Sequence, residues 1–444
     1  MYEDLGVRSP NMKGFYLNMD YKKSFYNNIM WHEGQAYLWN TLSGALIRLD
    51  ADALMFLEKY DGTDQSGNAY YDLFRKNGCI VPEKLNETNQ VLLQEKTAIL
   101  NPNQPVLHFT VAPGLGCNYN CVYCFEKHMA SRPAMTEETQ RDTVDYILRL
   151  AEGNPSLKYL MIRWFGGEPL LYMDAVCRMS ERLIDWCDTH HVQYYAETIT
   201  NGRFLTAENA EKLKKARVQF VQLALDGMPE QYMRLKRASR EDFDAVIENI
   251  AGSAGILPIH VRINVTDQYE DVLALTHYLL KEKKLEHKVK ICLAHVRNYD
   301  NASGEEETAR HRSFMAFEEK FISLFGADGP YSADSLAFHV PRRQPANCYK
   351  ICSFNYCIGP EGELYRCEHH FGMKDRTVGS IYEGNRFSDQ ELRLAEYRHP
   401  EKCRTCRILP VCLSGCLVYS GLAMACEELK KHHFLLLMKN CRRS

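Results

Sequence analysis

The chain has 444 residues, 45% of them hydrophobic, which indicates a large globular protein of two or three domains. A net charge of -3 gives no electrostatic reason to expect nucleic acid, and the sequence contains neither a membrane-spanning apolar stretch nor a signal-peptide pattern. The 17 cysteines without an export signal favour metal or redox chemistry in a reducing cytoplasm over disulfides.

Residues 1–100 carry no catalytic signature. Strand-like, aromatic-rich segments occupy 15–21 and 29–38, and helical patterns follow at 51–60 and 70–77. The sequence therefore predicts a small α+β domain, joined by a linker at 96–105 to the next part of the chain.

A cysteine-rich loop follows an apolar, strand-like run at 106–111. Cys117, Cys121 and Cys124 have the spacing C-x3-C-x2-C, which lets one loop surround a single iron–sulfur cluster. Such clusters normally take four thiolates, and a cluster with three keeps one iron open for a small molecule. A zinc knuckle is the alternative.

Strand-like and helix-like segments alternate from this loop to about residue 300. A helix over 136–150 begins with Thr136 as N-cap. Further strands are predicted at 159–165, 194–200, 220–225, 259–265 and 289–294, with helices between them. About six such units predict a parallel sheet curved into a partial (β/α) barrel, with functional residues at the carboxyl ends of the strands.

Polar and glycine-rich segments stand at those strand ends. Gly166, Gly167, Glu168 and Pro169 follow the second strand, and Thr200 and Asn201 end the third. Arg262 and Asn264 alternate on one strand and therefore face the same side. Ordinary turns and a structural arginine are the alternatives.

These motifs resemble those of the radical S-adenosylmethionine (SAM) enzymes, with Tyr123 as the aromatic residue before the third cysteine. The resemblance implies that SAM chelates the open iron and that an electron from a [4Fe-4S] cluster releases a 5′-deoxyadenosyl radical. It implies that the SAM-binding residues are Tyr123, Gly166, Gly167, Glu168, Pro169, Thr200, Asn201, Arg262 and Asn264. Glu168 is expected to bind the methionine ammonium group.

Asp226-Gly227, followed by Tyr232 and Lys236, is similar to a segment of peptide-modifying radical SAM enzymes. Many relatives carry an arginine in this segment. Arg234 and Arg237 lie beside Lys236, and the sequence leaves open which basic residue acts.

The C-terminal cysteines have the spacing C-x2-C-x5-C-x3-C, preceded by a predicted hairpin turn at 360–362 and followed by a further cysteine. They resemble the SPASM domain of peptide-modifying radical SAM enzymes, which holds two auxiliary [4Fe-4S] clusters. The resemblance implies one cluster on Cys348, Cys352, Cys367 and Cys416, and another on Cys403, Cys406, Cys412 and Cys426. Cys357 competes for the first set, and zinc sites are the alternative.

The implied organisation is a small α+β N-terminal domain (1–100), a radical SAM partial (β/α)6 barrel (105–300), a helical connector (301–345) and a SPASM domain (346–444). The first of these resembles leader-recognising or capping domains of peptide maturases, which bind an extended peptide as an added strand. A purely structural cap is the alternative.

The implied activity is that of an oxidoreductase which abstracts a hydrogen atom from a ribosomally made, cysteine-containing peptide and closes a cross-link, above all a thioether. Glu368 is the candidate base, with His369 and His370 as alternatives. Three [4Fe-4S] clusters, SAM and a reductant such as flavodoxin or ferredoxin are expected, without nucleic acid or membrane. The alternatives are an anaerobic sulfatase maturase that forms formylglycine and a zinc-binding module without catalysis.

Overall fold

The structure, a computed structural model, describes residues 20–129, 131–297, 305–326, 336–337, 340–346, 348–416 and 426–441. The chain divides into two compact units. The first holds the described residues up to Gln94 together with Arg342–Pro345 and His399–Ser414, and the second holds the other described residues from Glu95 onward. The domain boundaries expected from the sequence stay predictions.

The N-terminal elements are short strands and three helices. They are β1 (Tyr21–Lys23), β2 (Asn27–His32), β3 (Gln35–Asn40), β4 (Leu46–Leu49), α1 (Ala51–Lys59), α2 (Ala69–Lys76), β5 (Ile80–Pro82) and α3 (Glu87–Leu100). Strands β2, β3 and β4 form an antiparallel sheet in that order, and β1 pairs with β5. The strand predicted at 15–21 falls largely outside the described residues.

Two expectations for this region are wrong. The segment 29–38 is a hairpin rather than one strand, because Glu33 and Gly34 both adopt positive φ, of 51° and 76°, which turns the chain back. The predicted linker at 96–105 begins inside α3. The inward positions of that helix include Glu87 and Glu95 as well as Val91 and Ile99, so buried carboxylates obscure its apolar periodicity.

The predicted barrel is confirmed. Its strands and helices are β6 (Val106–Val111), α4 (Glu137–Glu152), β7 (Tyr159–Trp164), α5 (Met173–Thr189), β8 (Gln193–Thr200), α6 (Ala207–Lys215), β9 (Val218–Ala224), α7 (Pro229–Lys236), α8 (Arg240–Ser253), β10 (Ile259–Val265), α9 (Tyr269–His277) and β11 (Val289–His295). A single π-helical turn, Tyr278–Glu282, extends α9. The six strands are parallel and adjacent in chain order.

Burial alternates along β7, β8 and β10, with one face of each strand packed in the core. In β10, Val261, Ile263 and Val265 are fully buried, whereas Arg262 and Asn264 on the opposite face are half-buried. Outside the sheet, α4 begins at Thr136, whose hydroxyl accepts a hydrogen bond from the amide of Thr139, as the sequence predicts. A polar face of β10 thus remains available for a site.

The C-terminal elements extend the same sheet. They are α10 (Glu305–Phe325), β12 (Tyr356–Ile358), β13 (Glu363–Tyr365), β14 (Gly379–Ser380), β15 (Gly384–Asn385), α11 (Asp389–Glu396), α12 (Glu401–Arg404), α13 (Leu409–Cys412) and α14 (Cys426–Cys441). Strand β12 pairs in parallel with β6, and the predicted hairpin turn joins β12 to β13. The predicted connector at 301–345 contains α10, and its residues 301–304, 327–335 and 338–339 lie outside the described residues. No helix in the described ranges is long and apolar enough to cross a membrane.

Candidate active site

The three cysteines of the C-x3-C-x2-C motif lie on the loop that follows β6, and all three are partly exposed. The pKa of the Cys117 thiol is raised to about 11, mainly by burial and in smaller part by negative charge on Glu168, Cys121 and Cys124. The thiols are therefore near enough to act on one another. Such a set favours a positively charged occupant that holds the sulfurs as thiolates.

The Gly-Gly-Glu-Pro segment packs against the beginning of this loop. The amide of Glu168 donates to the carbonyl of Gly116 over 2.9 Å. A Cβ atom on Gly167 would collide with the carbonyl oxygens of Leu115 and Gly116, and Gly166 has a φ of 114°. Glycine is thus required where the strand end approaches the cysteine loop.

Glu168 is fully buried and joins the ends of β7 and β8. Its Oε1 accepts hydrogen bonds from the amide of Leu170 (3.0 Å) and the hydroxyl of Thr200 (2.7 Å), and its Oε2 accepts one from the amide of Asn201 (2.7 Å). Pro169 begins the short 3₁₀ turn that follows. Contact between Glu168 and a SAM ammonium group stays a prediction.

Asn201 links the third strand end to the cysteine loop. Its Nδ2 donates to Oδ1 of Asn118 over 2.8 Å and lies 3.8 Å from Sγ of Cys117. The sequence motif Thr200-Asn201-Gly202 thus has two functions in the fold, since Thr200 holds Glu168 and Asn201 contacts the loop.

The ends of β9 and β10 hold Tyr123, the residue before the third cysteine. The Tyr123 hydroxyl donates to the Asp226 carboxylate, and Asn264 Nδ2 donates to Asp226 Oδ1 over 2.9 Å. Arg262 Nε donates to Asn264 Oδ1 over 3.0 Å, so the two residues share a face as predicted. Lys236 Nζ lies 2.8 Å from Asp226 Oδ2.

Asp226 and Lys236 both lie against Tyr123, although the sequence motif that contains them did not assign either to the site. Two features of the sequence could have indicated them. One is the Asp-Gly dipeptide at a strand end, and the other is Lys236 next to Leu235 on α7, a helix that buries both side chains. Of the three basic residues left open, Lys236 is the buried one beside Tyr123, whereas Arg234 is exposed and donates to Gln231.

In the second unit, the C-terminal cysteines surround the hairpin β12–β13. Burial raises the pKa of Cys367 to about 12; the Lys350 charge opposes this, and negative charge on Cys357 and Cys416 adds to it. Cys352 is buried against Ile99 and Leu394, and negative charge on Cys348 contributes to the raised pKa of its thiol. The structure thus places Cys357 as well as Cys352 among the candidates for this ligand set.

The other predicted set divides between the units. Cys403, Cys406 and Cys412 belong to the first unit, on or beside the short helices α12 and α13, and Cys426 begins α14 in the second. No group of three or more His, Cys, Asp or Glu side chains within the described ranges is arranged to hold a metal ion. A single metal ion needs its ligands close together, whereas the thiolates of an iron–sulfur cluster bind separate irons around its surface. Both auxiliary sets stay predictions.

Glu368, the candidate base, is largely buried and forms an ion pair with Lys350. The Cys357 thiol lies 4.0 Å from its Oε2. The neighbouring His369 ring stacks on Phe125, the residue after Cys124, with centroids 4.1 Å apart. Burial, with Lys350, lowers the pKa of His369 to about 4, so the imidazole is neutral at pH 7.

The sequence model of the Radical SAM superfamily matches residues 111–280, the segment that holds the cysteine loop and the strand ends. Residues 111–280 form a radical SAM domain. The expectation that the chain is an enzyme is therefore confirmed, and the superfamily implies a [4Fe-4S] cluster and SAM.

Relatives of known activity match at low identity. Radical SAM cyclopropyl synthase TigE of Paramaledivibacter caminithermalis is 24% identical over 226 residues, which span 44% of this chain and 47% of TigE. The chain thus spans about half the length of that relative. A cysteine-type anaerobic sulfatase-maturating enzyme of Clostridium novyi is 22% identical over 332 residues, 68% of this chain and 84% of that enzyme.

A solved structure shares the fold over most of the chain. Streptococcus suis SuiB bound to its precursor peptide SuiA has a TM-score of 0.52 at 15% identity, covering 91% of this chain and 98% of SuiB. The fold class expected from the sequence is confirmed by this likeness and by the radical SAM domain.

Proposed function

We propose that the chain is a radical SAM peptide maturase that oxidatively closes a cross-link in a ribosomally made peptide, most simply a thioether from a cysteine. The observation that carries the proposal is the stacking of His369 on Phe125. It joins the cysteine-rich hairpin region to the cluster loop of the radical SAM domain, so that one site has both a radical source and residues from the C-terminal region.

The residues present fit a SAM-binding cluster, because three mutually interacting thiols stand beside backbone that only glycine allows. Cys117, Cys121 and Cys124 would hold it, and the bound cluster with SAM supplies a 5′-deoxyadenosyl radical. The residues of the strand ends fix the loop.

Thioether formation removes two hydrogens from the peptide. The C–H hydrogen would leave as an atom to the 5′-deoxyadenosyl radical, giving 5′-deoxyadenosine, and the S–H hydrogen would leave as a proton. The one electron left over when the C–S bond forms needs an acceptor, and an auxiliary iron–sulfur cluster would supply one. The ligand sets proposed for that acceptor are Cys348, Cys352, Cys367, Cys416 and Cys403, Cys406, Cys412, Cys426. We assign the proton to Glu368, which Lys350 holds close to the thiol of Cys357.

An open groove of about 1150 Å³ in the first unit supports a peptide substrate. Strand β2 lies at one edge of its sheet, and Ile29 and Trp31 on one face of it are exposed. Lys84 and Arg407 add positive charge to the groove lining. We propose that an extended, acidic segment of the precursor pairs with β2, because an edge strand offers backbone groups to an added strand.

Sulfatase maturation is the second candidate. The Clostridium novyi enzyme favours it, since the match covers 84% of that protein. The two functions predict different products, a cross-linked peptide lighter by two hydrogens or a formylglycine at a cysteine or serine. The radical SAM domain is common to both, and it disfavours a zinc module without catalysis.

The test is anaerobic purification, reconstitution with iron and sulfide, iron counting and an assay of 5′-deoxyadenosine release from SAM with dithionite. About twelve irons per chain are expected for three clusters. Replacing Cys117, Cys121 and Cys124 by alanine should leave about eight irons and no 5′-deoxyadenosine. Cys177→Ala, at a half-buried cysteine of α5, is the matched control. Zinc without SAM cleavage would refute the proposal. We expect a cytoplasmic flavodoxin or ferredoxin to replace dithionite in the cell.

A further inference from the structure

A row of side chains crosses the face of the sheet that is opposite the helices. Tyr194 of β8 donates to Ser180 of α5 over 3.4 Å, so Glu197, three positions along the same strand, points to the opposite face, the interior of the barrel. The members of the row are in register on five neighbouring strands: Cys357 of β12, Thr110 of β6, Arg163 of β7, Glu197 of β8 and Phe220 of β9.

Arg163 and Glu197 form an ion pair in the middle of this row. Arg163 Nε donates to Glu197 Oε1, and the two side chains remain 21% and 13% exposed. Within the described residues, the terminal nitrogens of Arg163 and the second oxygen of Glu197 form no hydrogen bond. Accessible space inside the barrel therefore adjoins unused N–H donors and an unused carboxylate acceptor that are held side by side.

The pair carries no net charge, and neither does the ion pair at one end of the row. There Glu368, whose Oε2 lies 4.0 Å from the Cys357 thiol, is paired with Lys350. An anion beside Arg163 would be repelled by Glu197, and a cation beside Glu197 would be repelled by Arg163. The geometry therefore favours an uncharged ligand that accepts a hydrogen bond at one atom and donates one from the next.

A primary carboxamide meets this requirement from one edge. Its carbonyl oxygen and one of its N–H bonds point in the same direction, whereas the N–H and C=O of a trans backbone amide point in opposite directions. Among peptide side chains, only those of Asn and Gln carry this group. The pair is thus matched to an Asn or Gln side chain better than to a backbone amide.

The pair also lies close to the cluster loop. Phe165 follows Arg163 by two residues, about 7 Å along the strand, and its ring stacks with that of Phe125 with centroids 6.2 Å apart. Phe125 in turn follows Cys124 of the loop. A peptide residue whose side chain is bound by Arg163 and Glu197 therefore brings its neighbours within reach of the loop.

We propose that Arg163 and Glu197 bind the carboxamide of an Asn or Gln side chain in the peptide substrate, close to the residue whose hydrogen atom is abstracted. The Arg163 guanidinium donates to the amide oxygen, and Glu197 Oε2 accepts from the N–H on the same edge. No bond is formed or broken in this step. The inference rests on the proposed function, because the carboxamide belongs to the peptide that is modified.

The test compares three probes of equal size in titrations of the reconstituted full chain, followed by saturation-transfer nuclear magnetic resonance. Propionamide carries the primary carboxamide, its isomer N-methylacetamide carries a backbone-type amide, and propionate carries a negative charge. Propionamide should bind about tenfold more tightly than either of the others, because a mismatched probe leaves a polar atom of the pair unsatisfied. Equal affinities for the two amides, tighter binding of propionate, or no binding of propionamide would overturn the inference.

A charge variant distinguishes a binding role from a structural one. Glu197→Gln keeps the size of the side chain but leaves Arg163 without its counter-charge, so propionate should then bind about tenfold more tightly than propionamide. Asp188→Asn makes the same change in the surface pair of Asp188 with Arg217 and should retain the wild-type order of affinities. An unchanged order in Glu197→Gln would overturn the inference. The comparison of probes in the wild type needs no variant, so it stays decisive if Glu197→Gln does not fold.

The same preparation separates this inference from the proposed function. Absence of 5′-deoxyadenosine release, together with absence of a SAM-responsive signal in electron paramagnetic resonance (EPR), would contradict the proposed function. Absence of a preference for propionamide in a chain that cleaves SAM would contradict only the carboxamide site.

Discussion

The two cysteine-rich regions of the second unit are held in place by different means. The loop from Cys117 to Cys124 is contiguous, and residues from four neighbouring strand ends contact it: Gly167, Asn201, Asp226 and Asn264. The cysteines between Cys348 and Cys367 lie on short 3₁₀ turns and a two-strand hairpin. A parallel sheet directs many side chains to one edge, so the first region receives a dense set of contacts that short elements do not provide.

The second region depends on one guanidinium group instead. Arg366 is buried and donates from Nη1 to the carbonyls of Lys350, Cys352 and Asn355, over 3.3, 2.9 and 2.8 Å. Its other nitrogens bind Glu391. A single side chain thus organises the turn that carries Cys352, whereas the first loop distributes the same task over several residues.

The largest effect is expected where backbone packs on backbone in the first region. In Gly167→Ala the new Cβ meets the carbonyl oxygens of Leu115 and Gly116, neither of which is a flexible side chain. We expect loss of about four irons and of 5′-deoxyadenosine release. Gly252→Ala, on α8 with no atom within 4 Å of the new Cβ, is the matched control and should gain about 0.5–1 kcal/mol in stability. Full SAM cleavage in Gly167→Ala would contradict the packing argument.

Replacement of the candidate base should separate the two regions functionally. Glu368→Gln should reduce peptide modification by about 10²–10⁴-fold, the usual contribution of general base catalysis. Its uncoupled 5′-deoxyadenosine release should stay at the wild-type level, since Glu368 lies outside the SAM-binding domain. Glu361→Gln, at an exposed position of the turn between β12 and β13, serves as control. Modification at the wild-type rate would place the base elsewhere, with His369 tested next.

Part of the fold and of the site can be predicted from the sequence. The rest cannot, because it depends on contacts between residues far apart in the chain. The Cys117 loop, the six strands and the hairpin at Gly362 follow from local spacing and periodicity. The pairing of β12 with β6 and the contact of Lys236 with Tyr123 join residues more than 100 positions apart. Helix α3 was not predicted, because one of its buried positions is a glutamate. Glu87 accepts hydrogen bonds from Ser24 and Phe25, and no local sequence pattern indicates those contacts.

The ligand set of the second region is tested by paired cysteine variants. Cys352→Ala should lose about four irons, because the predicted set includes Cys352, whereas Cys357→Ala should retain all of them. The opposite result would exchange the two residues in that set, which the proximity of Cys357 to Cys367 would then explain. Iron analysis with EPR distinguishes the outcomes without requiring the peptide.

The contribution of Arg366 to the second region can be measured as a change in the free energy of unfolding. Arg366→Met removes the donor to three carbonyls and leaves Glu391 without its ion-pair partner, so we expect a loss of about 3–5 kcal/mol in the free energy of unfolding. Arg376→Met, at an exposed arginine paired with Asp375, should change it by less than about 1 kcal/mol. Chemical denaturation of the reconstituted chain measures both. Equal stability of the two variants would mean that the region is held by other contacts.

The smallest effect is expected in the groove of the first unit. Ile29→Asp places a negative charge on the exposed face of β2, where we propose that an acidic peptide segment pairs with the edge strand. The KM for the peptide should rise about tenfold, equivalent to about 1.4 kcal/mol of binding, while kcat and uncoupled SAM cleavage stay unchanged. Leu392→Asp introduces the same charge at an exposed leucine of α11 and should leave KM unaltered. An unchanged KM in Ile29→Asp would indicate that the first unit is a structural cap, and that the peptide is recognised entirely by residues of the second unit.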